Sequence, residues 1–157
     1  MLMTLGAITL LMIIIFRVNS GFLTTNEILH DNKYGILAVS IATSIIEEAK
    51  GRAFDSYTAS NPAVSTSQLT SVGPGYGEVY PDFNDFDDYD GLDIIDSTLA
   101  SAQFRIQCEV DYVNANDPDN PVTPTRTWHK RIMVTVTSPF MNDTVRLSSV
   151  YSYFYFR

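Results

Sequence analysis

Apolar and polar positions along this chain fall into three regimes. Residues 1–16, MLMTLGAITLLMIIIF, are apolar all round, with no charge and no proline. A helix of that kind belongs in lipid or among other helices, because it has no polar face to turn to water. Asn19-Ser20-Gly21 then bring three poor helix formers together, where a long helix is expected to loosen. Beyond them Thr25 or Asn26 can cap a helical restart. Gly35 or Ile36, Val39, Ala42, Ile45 or Ile46, Ala49 and Ala53 recur every three or four residues. That spacing predicts an amphipathic helix over 25–54 with one apolar stripe, while Glu48 and Arg52 form an i,i+4 pair off it.

The last regime alternates with period two. Phe104, Ile106, Cys108, Val110 and Tyr112 interleave with Arg105, Gln107, Glu109 and Asp111, which predicts a half-buried strand over 103–112. Trp128, Lys130, Ile132, Val134 and Val136 repeat the alternation over 127–137, and residues 144–156 read as a final strand. That final strand is aromatic on both faces. It is expected to lie centrally in the sheet or to offer its outer face to another subunit. The connector 114–124 is rich in Asn, Asp and Pro and reads as turn. Strands joined in this way suggest an antiparallel meander that covers the helical stripe. The fold class expected is α+β, with an N-terminal helix, apolar and then amphipathic, on a small C-terminal antiparallel sheet. Its divisions fall at 1–24, 25–54, 55–101 and 102–157.

Residues 55–101 connect helix to sheet. Ser, Thr, Ala, Asn, Pro and Gly dominate up to Gly77, and three glycines around one proline at 71–77 predict turns. Asp82, Asp85, Asp87, Asp88 and Asp90 then alternate with aromatic residues. Asp85, Asp87, Asp88 and Asp90 are candidate ligands for calcium, which takes six to eight oxygens. An EF-hand register fails, since Gly91 at the sixth loop position leaves Phe86 first and Ser97 twelfth. The competing reading has the aspartates capping turns while Phe83, Phe86, Tyr89 and Leu92 fasten the loop to the domain.

Composition works mainly by exclusion. A length of 157 residues suits one domain and an appendage, and a net charge of −8 offers no basic face to nucleic acid. One cysteine, Cys108, allows no internal disulfide. His30 and His129 have no nucleophile or second histidine at useful spacing, so no enzyme is expected. Asn142-Asp143-Thr144 is a glycosylation sequon, with Asn142 the candidate acceptor.

For the apolar rod, the flanks exclude a secretory signal peptide, because no Lys or Arg precedes it and no small-residue cleavage site follows. A single membrane span needs about 20 apolar residues. Reaching that length brings in Arg17, which must snorkel to the interface. The third reading is a helix held in a membrane and then packed among identical helices in a filament. There Gly6 and Ala7 permit close approach, and Met1, Leu5, Leu10, Leu11, Ile14, Arg17 and Gly21 complete the candidate assembly surface.

Local wording gives this outline a family resemblance. Ala42-Thr-Ser-Ile-Ile-Glu-Glu-Ala49 resembles the A-x-x-x-I-E-E helix of minor type IV pilins. Phe86-Asp-Asp-Tyr-Asp-Gly-Leu92 resembles the aspartate-rich loop of MSHA-type minor pilins, and Lys130-Arg-Ile-Met-Val-Thr-Val-Thr137 is similar to the strand that follows it there. The resemblance implies a type IV pilin or pseudopilin, a bacterial surface subunit with a methylated N-terminus. Such a subunit lies in the inner membrane before assembly, meets the pilus or secretion machinery, and ends in an extracellular filament that can serve cell adhesion. The family usually carries a glutamate as its fifth residue, where this chain has Leu5. Some pseudopilins at filament tips lack that glutamate too. If Met1 begins the mature chain, a basic leader ending in Gly is expected to have been removed. The alternatives are a tip or minor pseudopilin of a secretion machine, and a single-span, envelope-tethered binding domain.

Overall fold

The computed structural model describes residues 2–98 and 102–154, with the side chains of residues 2–5 and 22–31 outside that description. The architecture is α+β: an N-terminal helix and a small, five-stranded antiparallel sheet.

Helix α1 (Leu2–Lys50) does not stop at Asn19-Ser20-Gly21. Three poor helix formers cost about 2 kcal/mol together. In a helix of 49 residues the hydrogen-bond ladder on both sides absorbs that cost, because propagation needs no new nucleus. The helix ends at Lys50, short of the expected 54 and before Ala53, with the Gly51 amide donating to the Glu47 carbonyl at 3.0 Å.

Its buried positions are Tyr34, Ala38, Ala42, Ile45, Ile46 and Ala49. The stripe is therefore rotated from the expected one at its start, for Ile36 is 71% exposed and Val39 also faces outward. The Tyr34 ring sets the rotation by packing on Phe104 and Phe140, at centroid distances of 6.5 and 5.7 Å. Three alanines on the inner face let the helix lie close to the sheet.

The sheet runs in the order β1 (Asp93–Asp96), β2 (Phe104–Asn114), β4 (His129–Thr137), β5 (Val145–Ser152). A short β3 (Asp117–Pro121) pairs with the end of β2. Cys108 faces Val134 and Val110 faces Ile132 across the central pair, so period-two burial on both strands builds one apolar face. Phe104, Ile106, Val110, Ile132, Val134 and Val136 from that face meet the inner side of α1 in a single core.

Three expectations are corrected here. Asp93-Ile-Ile-Asp96, read as loop, is an edge strand, pinned by the Arg105 guanidinium donating to Asp93 at 2.8 Å. Residues 117–121, read as turn, also form a strand. Their prolines are tolerated because β3 is an edge and needs few ladder amides. Of the two placements open to the final strand, the central one is excluded: β5 (Val145–Ser152) is an edge of the sheet, and residues 155 and 156 of the expected strand lie outside the described residues.

Candidate functional site

The chain leaves α1 and is strapped to the aspartate-rich loop before it reaches the sheet. The Phe86 amide donates to the Ala53 carbonyl at 2.9 Å, a bridge that sets Phe54 and Asp55 beside Asp85 to Asp87. Asp55 caps the short helix α2 (Ser56–Ser60), accepting from the Tyr57 amide at 3.1 Å. Asp87 opens a 3-10 turn, Asp87–Tyr89. Above both, β4 places Lys130 on its buried side, in the same parity as Ile132, Val134 and Val136.

Lys130 is fully buried, and its ammonium nitrogen meets three acceptors. Nζ donates to Asp87 Oδ1 at 2.6 Å, to Asp55 Oδ2 at 2.9 Å and to the Phe54 carbonyl at 2.9 Å. The Phe54 and Tyr112 rings flank it, with centroids 4.7 and 4.9 Å away. A buried charge without such partners would cost many kcal/mol, so the three acceptors and two ring faces are conditions of its burial.

The two acid partners differ. Asp55 is richly solvated by protein: the Thr70 amide reaches its two oxygens at 3.1 and 3.0 Å, the Thr70 hydroxyl lies at 3.1 Å and the Tyr112 hydroxyl at 3.2 Å. Burial, the largest single influence, pushes its pKa up. The Lys130 charge and the hydrogen bonds from Lys130, Thr70 and Tyr57 outweigh it and hold Asp55 below the usual carboxylate range. Asp87 has no such shell. Its Oδ2 is buried without a hydrogen-bond partner, and burial raises its pKa despite Lys130. Asp85, also buried, is pushed up to about 9 by desolvation and by its interaction with Asp87, so it holds its proton at neutral pH.

The remaining aspartates serve the local backbone. Asp88 Oδ2 accepts the Asn84 and Asp85 amides at 2.9 and 3.1 Å, Asp85 Oδ1 accepts the Asp87 amide at 3.0 Å, and Asp90 Oδ1 accepts the Val110 amide at 2.9 Å. Phe83, Phe86, Tyr89 and Leu92 are buried beneath them. Gly91 supplies the sharp exit with φ +75°, its amide bonded to the Cys108 carbonyl. The four candidate calcium ligands thus turn to separate partners, and an ammonium group sits where a cation would be sought. Among the described residues, no group of three or more His, Cys, Asp or Glu side chains is arranged to hold a metal.

The other candidate surface lies on the N-terminal part of α1. Gly6, Ala7, Leu10, Leu11, Ile14, Arg17 and Gly21 are all exposed, and Met1 and the Leu5 side chain lie outside the described residues. Exposure of the large apolar side chains runs from 50% at Ile14 to 80% at Phe16. Thr9 returns its hydroxyl proton to the Gly6 carbonyl at 2.9 Å, which leaves the surface around it apolar. Further along the same helix, Ile36 and Val39 face outward beside Met141 and Val145, around a shallow groove. Among the described residues, no helix is long and apolar enough to cross a membrane. Asn142 is exposed between β4 and β5. Cys108 is buried, and desolvation raises its thiol to about 12, well above the reactive range. His129 is half-buried, with Nδ1 2.7 Å from the Ser152 hydroxyl, and the His30 side chain lies outside the described residues.

The ion cluster escaped the sequence reading although a signal was present. Lys130 occupies the buried parity of an otherwise apolar strand, and a lysine there demands buried acceptors. Comparison with protein-family models, with curated proteins and with solved structures gives no match to this chain.

Proposed function

We propose that this chain is a non-enzymatic structural subunit of a type IV pilus-like filament, assembled by packing apolar N-terminal helices with the sheet domain outside. The observation that carries this reading is the exposure of the apolar helix over residues 6–16. A contiguous apolar surface of that kind marks an interface or a lipid contact. Covering each Leu, Ile, Met or Phe stabilises by about 1.5–3 kcal/mol, so a few neighbouring helices supply enough to hold a filament together. A second apolar groove lies beside Ile36 and Val39, against Met141 and Val145. Acidic groups on the outer loops keep such a filament soluble, and net charge −8 disfavours nucleic acid as a ligand.

In this reading the helix rests in the inner membrane, is drawn out by the assembly machinery, and exchanges lipid for identical helices in an extracellular fibre. Deleting residues 1–21 tests the reading. Electron microscopy of material sheared from cells should show filaments containing the full chain and none containing the truncated one. Filaments that persist with the truncated subunit would refute it.

A further inference from the structure

We propose that Lys130 and Asp87 are joined by an intramolecular amide bond between Nζ and Cγ, formed by the chain itself with loss of one water.

The geometry is that of two reactants already in contact. Nζ lies 2.6 Å from Asp87 Oδ1, which puts it about 3.5 Å from the carboxyl carbon, near the attack distance of oriented reactants. Phe54 and Tyr112 close over the amine, and Lys130, Asp55, Asp85 and Asp87 are all essentially inaccessible to water. Exclusion of water matters twice, since it strengthens the electrostatic steps and removes the species that would reverse the reaction. Holding amine and acid together in this way is worth an effective concentration of about 10^5–10^8 M.

Each of the three acids has a separate part. Asp55, with donors on both oxygens, is a stable carboxylate and accepts one proton from the Lys130 ammonium, which frees the lone pair. Asp87 is the electrophile, because it has few donors and one orphaned oxygen, and it reacts in its acid form, the form that burial favours. Asp85 is the neutral acid beside it: its Oδ1 accepts the Asp87 amide at 3.0 Å, which positions the Asp87 carboxyl under Nζ. The amine attacks Cγ and the C–N bond forms. The Asp87 hydroxyl then leaves with a proton from the amine nitrogen, as water. Lys130 ammonium, Asp55 carboxylate and Asp87 acid become an amide, a protonated Asp55 and one water, with atoms and charge balanced and no oxidant required. The bond ties the aspartate-rich loop to the middle of the sheet.

The test is peptide mapping of the purified full chain, denatured and digested with trypsin. An amide on Lys130 blocks cleavage after it, and no Lys or Arg lies between residues 53 and 105 before the terminal Arg105. The expected product is therefore peptide 127–131 attached as a branch to peptide 53–105, one water lighter than their sum, with fragmentation placing the branch on Asp87. Lys130→Arg should release peptide 53–105 and a peptide ending at position 130, both linear, and Asp85→Ala should lower the branched fraction severalfold in freshly made protein. Cleavage after Lys130 with full recovery of linear peptides from the wild-type chain would overturn the bond. A branch on Asp55 would overturn the assignment of roles. The wild-type map decides even if a variant fails to fold, and its result is independent of whether the chain forms filaments.

Discussion

The N-terminal rod exposes what a folded chain ordinarily buries, and the cluster under β4 buries what a folded chain ordinarily exposes. In the rod, residues 6–16 present Leu10, Leu11, Ile14 and Phe16 to the surroundings with no charged residue between them. In the cluster, one ammonium and three carboxyl groups lie out of reach of water. Each arrangement is costly for an isolated piece of chain, but the two are relieved differently. The cluster finds its compensation inside the fold, from the Phe54 carbonyl, the Thr70 amide, the Tyr112 hydroxyl and two aromatic faces. The rod has no comparable partner among β2, β4 and β5, whose apolar face is filled by Tyr34 to Ala49 of the same helix. Intramolecular burial belongs to the domain, and intermolecular burial is what the rod asks for.

Mutations can separate the two. Replacing Lys130 by Met should have the largest effect on stability, since it strands Asp55 and Asp87 in the core. A loss of about 3–5 kcal/mol is expected, read as a lower urea midpoint for the full chain in detergent. An unchanged midpoint would mean the cluster contributes nothing to the fold.

Asp85 should govern the pH dependence. With its folded pKa raised to about 9, the native state keeps a proton that the unfolded state releases above about pH 4. Stability from this group is fully present at acid pH and falls as pH rises toward about 9, where the loss levels off. Asp85→Asn should flatten the urea midpoint over that window. A slope that persists in the variant would assign the titration elsewhere.

Tyr112→Phe removes a hydroxyl 2.8 Å from the Thr70 carbonyl and 3.2 Å from Asp55 while keeping the ring over Lys130. A loss of about 1–3 kcal/mol is expected by thermal unfolding. Arg105→Ala, which breaks the exposed pair with Asp93 at the β1 edge, should shift the unfolding midpoint only slightly, and less at high salt. Ile14→Arg should leave the unfolding midpoint of the domain unchanged, because that side chain touches no core residue. The same variant should abolish filaments in sheared material, and filaments of normal yield would break the contrast between rod and cluster.

Much of this division was legible before any coordinates. Sixteen uncharged residues in a row left the rod no soluble environment of its own, and the alternation from Phe104 to Tyr112 identified β2 and its buried face. Other parts were hidden by composition. Asp93-Ile-Ile-Asp96 and Asp117–Pro121 look like loop because Asp and Pro disfavour strands. Both pair only at an edge, where neighbouring β2 supplies the template. The start of the helical stripe was misread for a related reason. Ile36 is more hydrophobic than Tyr34, yet Tyr34 is the residue with Phe104 and Phe140 to meet.

Local chemistry along the chain was enough to specify an apolar rod, two strongly alternating strands and a dense run of aspartates, because each depends on residues near in sequence. The joining of Asp55, Asp85, Asp87 and Lys130 was not written locally. Lys130 is separated from Asp55 by 75 positions and from Asp87 by 43, and they meet only because the exit of α1, the aspartate loop and β4 converge at one point of the core. There the fold removes water from all four groups at once, and that loss of solvent, more than the identity of any one residue, decides their protonation and their chemistry.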